Sequence, residues 1–169
     1  MTTFKAVCLS IVFICVSGCC PLNTKSSFSS MPRSRPDSSR AEQERRLMMI
    51  GKWFGISALD DGRLRRYIIE HHADGTFKIH FRTYNKDKRY EDHVEIGVWG
   101  VSGNIHFTIT QGWLVDATVI PADPADASLY DAYEIIKLTN DELEYRAVYA
   151  DVVFTVRRVP DSFELPEDI

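Results

Sequence analysis

The chain has 169 residues, 20 Lys+Arg against 24 Asp+Glu and a formal charge of −4. That length suits one domain with an extension. Apolar residues at 44% are enough for a core, and the mild acidity, with no basic stripe, excludes a nucleic-acid binder.

The first element is an export signal. Lys5 precedes the apolar run Ala6 to Val16, whose eleven residues are too few to span a bilayer, which takes about 20. All four cysteines, Cys8, Cys15, Cys19 and Cys20, lie in the first twenty residues. The rest of the chain can form neither a disulfide nor a cysteine-based zinc site. Val16-Ser17-Gly18-Cys19 resembles the lipobox of bacterial lipoproteins: an aliphatic residue, two small ones and the modified cysteine. The resemblance implies removal of residues 1–18 and acylation of Cys19, with the membrane as partner. Two acyl chains anchor stably where one does not. Cys20, rather than Asp, follows the anchor, and by the family's sorting pattern this implies the outer membrane, facing the periplasm.

Residues 19–39 read as the lipidated cysteine and a flexible tether. Pro21 to Ser39 holds seven serines and three prolines, which bury too little to offset ordering entropy. As a coil its nineteen residues span about 25 Å. Lys25, Arg33 and Arg35 against Asp37 fit either weak attraction to anionic lipid or a solvated spacer.

Ser39-Arg40-Ala41-Glu42 is a capping box that predicts a helix over about 40–49, supported by Arg40/Glu44 and Glu42/Arg46 at four-residue spacing. Its apolar end, Leu47 to Ile50, is expected to pack against the domain, and Gly51 to end the helix.

From Ile50 the apolar period becomes two. Strands are predicted at about 51–57, 65–72, 76–84, 91–101, 104–110, 113–120, 129–138, 143–149 and 152–159. The Asp74-Gly75 turn pairs Ile69 with Ile79 and Tyr67 with Phe81. Ser102-Gly103 would set Trp99 opposite His106 and Val98 opposite Phe107. Pro121 to Ala127 must be a loop, and the acidic tail 161–169 is expected to fray. The fold class is therefore all-β: an antiparallel up-and-down barrel of eight or nine strands over residues 40–160, preceded by a short helix. A two-sheet sandwich is the alternative.

Gly51-Lys52-Trp53 on the first strand and Arg157-Arg158 on the last resemble the lipocalin pattern, as do Ala73 to Phe77, Gly97-Val98-Trp99 and Tyr133-Glu134-Ile135. The resemblance covers about residues 47–159. It implies an indole plugging the closed end under an arginine, either Arg157 or Arg158, with Arg158 on the apolar face by alternation. It also implies a cup for a small apolar ligand such as a fatty acid. The residues of the shared apolar face are Tyr67, Ile69, Phe77, Ile79, Phe81, Val98, Phe107, Tyr145 and Phe154, with Val94, Ile96, Ile109 and Val156. The same residues can instead simply fill a small barrel.

No catalytic constellation stands out. There is no Gly-x-Ser-x-Gly, no phosphate loop and no body cysteine, so neither catalytic residues nor a cofactor is expected. His80, His93 and His106 invite a metal site, but with Phe81 opposite Val94 and Trp99 opposite His106 the registers separate His93 and His106 by about 20 Å, and no metal is expected. Asp116, Asp123, Asp126 and Asp131 fit a solvated loop better than a calcium site. Glu134, expected to face the apolar side with Arg158, is either a buried ion-pair partner or a strand-end carboxylate in water. The function expected is noncatalytic binding of a small apolar or amphipathic ligand. The rival is an interaction module for an envelope protein, with a filled core and Lys78, His80, Arg82, Trp99 and Trp113 on its working surface.

Overall fold

The computed structural model describes residues 36–85, 87 and 89–167. The signal 1–18, Cys19 and the tether up to residue 35 lie outside the described residues. Helix α1 (Pro36–Met49) leads into strands β1 (Gly51–Ala58), β2 (Leu64–His71), β3 (Thr76–Tyr84), β4 (Tyr90–Ser102) and β5 (Ile105–Val115). Then follow β6 (Thr118–Pro121), β7 (Tyr130–Leu138), β8 (Glu142–Ala147) and β9 (Val153–Val159). Sequential antiparallel pairing, a β5–β7 ladder past β6 and a β1–β9 ladder close eight strands into the expected barrel. β6 is an extra strand on the upper half of β5. The predicted break at residues 111–112 is not a turn: β5 runs through it, and the turn lies at Asp116-Ala117, both with positive φ.

The helix starts four residues earlier than its predicted capping box. It opens on Pro36, whose fixed φ suits a first turn. Ser39 therefore lies inside it. Glu42 is not paired with Arg46 but accepts from the Gly103 backbone N–H at 3.1 Å, so it caps the β4–β5 hairpin. Arg46 donates to the Ala73 carbonyl at 3.0 Å and lies over the Trp99 ring at 4.8 Å. Arg40 and Glu44 pair as predicted, at 3.1 Å.

The helix end closes one end of the barrel. Met49 is fully buried, and its carbonyl accepts from the Trp53 indole at 2.8 Å. Arg158 settles the choice of arginine: its guanidinium sits 4.1 Å from the Trp53 ring centre and donates to the carbonyls of Met48, Ile50 and Asn140. Arg157 takes no part in closure; it pairs across the sheet with Phe54 on the outer face. Gly51, at φ 117°, is required here, since a Cβ would fall 2.7 Å from the Arg158 guanidinium.

One register differs from prediction by a single residue, and that reverses a strand. Phe81 pairs with His93, not Val94. On β4, Glu95, Gly97, Trp99 and Val101 therefore face inward, while Val94, Ile96 and Val98 face out. The reason lies in shape. The Phe77 ring fills the space above Gly97, where a Cβ would meet it at 2.7 Å and the Ile109 carbonyl at 2.1 Å. The Trp99 indole is buried against His71, ring centres 4.5 Å apart, and donates to the His72 carbonyl at 3.1 Å. Burying one indole outweighs half-burying three aliphatic side chains.

The tail does not fray. Residues 161–167 cross the outer wall of β1, β2 and β3. Phe163 packs on Phe54 with ring centres 5.1 Å apart, and Leu165 is buried. Lys52 donates to the Asp161 carbonyl at 2.6 Å, and Arg82 to the Leu165 and Pro166 carbonyls, each at 3.1 Å. Ile68 and Tyr84, which point outward, are buried beneath it.

Candidate functional site: the barrel interior and its open end

Seven of the nine expected lining residues face inward: Tyr67, Ile69, Phe77, Ile79, Phe81, Tyr145 and Phe154. Val98 and Phe107 do not. Val98 lies on the reversed face of β4, and Phe107 lies opposite Gly100 on the outer wall, its ring covering that glycine. The β4–β5 hairpin turns at Gly103-Asn104, so Trp99 faces Thr108 and Val98 faces Ile109. Trp99 is thus interior and cannot belong to a working surface. Arg82 lies under the tail, bound to Asp92 at 2.7 Å, so it too is covered.

The interior has two kinds of wall. β1, β2, β3 and β9 present Trp53, Ile69, Phe77, Ile79, Phe81 and Val156. β4, β5 and β7 present Glu95, His106, Thr108, Thr110, Asp131 and Tyr133. This polar arc follows from the corrected register of β4 and from a bulge at Gln111, between the Ile96 and Gly97 pairs. Sequence alternation placed His106 outside and missed Asp131 and Glu95. The available signal was Gly97-x-Trp99: a glycine and an indole on one face mark the side that packs.

At the closed end His71 is 1% exposed and His106 3% exposed, with ring centres 5.0 Å apart, edge to face. His71 Nδ1 lies 3.2 Å from the Met49 carbonyl. A carbonyl only accepts, so Nδ1 carries the proton and Nε2 offers a lone pair. Among the described residues that Nε2 has no partner, nor has either ring nitrogen of His106. Burial, with His106 alongside, holds His71 well below the usual imidazole range; burial alone lowers His106 to about 4. Both rings are neutral at physiological pH.

His106 stacks on Tyr133 at 5.7 Å, and Tyr133 meets Tyr145 edge to face at 5.1 Å. Burial raises the Tyr67 hydroxyl, which the neighbouring Tyr145 hydroxyl partly offsets, and it raises Tyr145 well above the usual phenol range. Burial, then the Asp131 charge, also raises Tyr133 above that range. Nearer the open end, burial, then the Glu95 charge, raises the Asp131 carboxyl, which the neighbouring Tyr133 hydroxyl partly offsets. Glu95 accepts from Thr110 at 3.4 Å and pairs with His93 at 3.0 Å.

The three histidines considered for metal do not converge. His80 faces outward, 3.3 Å from Asp92, while His93 and His106 face inward. Among the described residues no three potential ligands gather around one point. Asp123 and Asp126 each hold their own turn, accepting from Ala125 and Ser128 backbone N–H groups at 2.9 Å. Glu134 points out and pairs with Arg146 at 2.8 Å. A bulge at Ile136 sits between the predicted Leu138–Leu143 pair and Glu134, and it moves that carboxylate to the other face.

Clefts also mark the outer wall. One of 380 Å³ lies between the tail and β1–β3, lined by Lys52, Glu70, Lys78, His80 and Arg82. Of its charges, Lys78 pairs with Glu70 at 3.1 Å, Arg82 pairs with Asp92, and Lys52 is held on tail carbonyls.

No family model matches the chain, and no curated protein matches it at a significant level. A lipocalin-like protein from Bacteroides uniformis is similar in structure, at 14% identity and a TM-score of 0.39, over 66% of this chain and 97% of that one. An uncharacterized protein from Bacteroides eggerthii is similar at 14% identity and a TM-score of 0.39, over 65% and 98%. Neither likeness bears on ligand or activity.

Proposed function

We propose that this chain is a noncatalytic lipoprotein of the cell envelope, anchored through Cys19 at the outer membrane, whose barrel takes up a small amphipathic molecule. The observation that supports binding is His106. A core that only fills its barrel has no use for an imidazole with two unpartnered nitrogens, because each buried polar group left unpaired costs about 1–3 kcal/mol. Set among Tyr133, Tyr145 and Trp99, it suits a guest with a polar edge and an apolar body.

Native mass spectrometry of the full chain carrying Cys19→Ala tests this. A retained small-molecule adduct, released on stronger activation and lost in His106→Phe, is the expected result. A bare protein whose thermal midpoint no amphipath shifts would sink the proposal.

The second reading, a docking module for an envelope protein, rests on the open end. Tyr149 is 72% and Val148 62% exposed there, with Val119, Ile120 and Val152 also bare.

A further inference from the structure

We propose that the guest is an amphipathic amine, its ammonium held near the open end by Glu95 and Asp131 and its body laid against the apolar wall. The inference rests on the ligand-binding reading above and names the class of ligand.

Two observations carry it independently. The first is charge placement. Glu95 and Asp131 face the interior from β4 and β7, the two strands that flank β5. The Glu95 charge, after burial, raises the Asp131 carboxyl, and among the described residues no cation pairs with Asp131. Two interior-facing side chains near the open end are basic. His93 is already on Glu95 at 3.0 Å, and Arg65 lies over the Phe81 ring at 5.1 Å and on the Thr83 hydroxyl at 3.3 Å. At this arc a guest carboxylate would meet two like charges, while the Arg65 guanidinium stands on β2, in the apolar wall. An ammonium would relieve their repulsion.

The second observation is His106. It is almost wholly buried, without a hydrogen-bond partner at either nitrogen among the described residues, and stacked on Tyr133, two residues along β7 from Asp131. A neutral imidazole offers one donor and one acceptor. It therefore suits an uncharged hydroxyl or amide on the guest, deeper than the ammonium. Fatty acids, the guests that the sequence resemblance implies, have the wrong charge for this arc.

The test compares three ligands with one body: octylamine, octanol and octanoate, titrated calorimetrically into the full chain near neutral pH. Octylamine should bind at least about tenfold tighter than octanoate, as expected for one nearby carboxylate at intermediate dielectric. Asp131→Asn should shrink that ratio to about threefold or less and leave octanol unchanged. Glu95→Gln should act in the same direction, and serves should the Asp131 variant fail to fold. Octanoate binding as tightly as octylamine overturns the amine assignment while the binding role stands. An amine preference that survives both substitutions overturns the site. Failure of all three ligands to bind removes the binding role and the inference with it.

Discussion

His106 shows most plainly what one buried side chain does to this protein. Its folded pKa, about 4, lies below the 6.5 of an exposed imidazole. Between those values the unfolded chain binds more protons than the folded one, so stability rises with pH and is complete above about pH 6.5. His71, shifted the same way, adds to the same slope. By that linkage His106 alone removes about 2 kcal/mol of stability at pH 5 relative to pH 8. Urea denaturation at the two pH values should show the loss, and His106→Phe should remove about that much of it. Equal midpoints for the wild-type chain at both pH values would mean that the imidazole is hydrated or paired in solution. The sequence hid this residue for a physical reason: in His106-Phe107-Thr108-Ile109 either set of alternate residues can pass for the inner face. Only the pairing with β4 and β7 decides which one is.

At the scale of elements, legibility followed turn chemistry. The β2–β3 hairpin was readable because Asp74 accepts from the Thr76 backbone N–H at 2.9 Å and Gly75 supplies the positive φ, which leaves one register. The β3–β4 connection, between Tyr84 and Tyr90, has no glycine in its sequence to pin the register, and a one-residue slip carried Val98 to the wrong side. The bulge at Ile136 leaves no mark in a binary apolar pattern, so Glu134 was misplaced with it, while Phe107, on the same face as Val98, was misplaced with the β4 slip. Trp53 and Arg158 were legible because the Gly51-Lys52-Trp53 start and the alternation of β9 are both local signals.

The tail is an element that composition misjudged. Four acids suggested solvent, yet Phe163 and Leu165, two apart, mark one apolar edge. Truncation after Pro160 would bare Ile68 and Tyr84 and leave the Arg82 guanidinium without its two carbonyl partners. Loss of the Leu165 and Phe163 burial alone is worth about 3–4 kcal/mol. The truncated chain should unfold at clearly lower urea, with faster amide exchange confined at first to β1, β2 and β3. Unchanged exchange there would show that the strap contributes nothing.

At the scale of the whole molecule, the described chain enters at the closed end. Helix α1 leads straight into Gly51, while the acidic arc and the apolar rim lie toward the other end. The helix carries no span; among the described residues none is long and apolar enough to cross a membrane. The proposed anchoring therefore depends on Cys19 alone. Each acyl methylene contributes about 0.8 kcal/mol, so two chains hold where one exchanges. Cys19→Ala should move the protein from the membrane pellet to the soluble fraction. Its urea midpoint and its octylamine affinity should stay unchanged, because Met49, Trp53 and Arg158 close the floor and the proposed amine site is Glu95 and Asp131. A Cys19→Ala chain that still sediments with membranes would point to the exposed ring of Val119, Ile120, Val148 and Tyr149 as the membrane contact. In that case the open end, not the tether, sets where the protein sits.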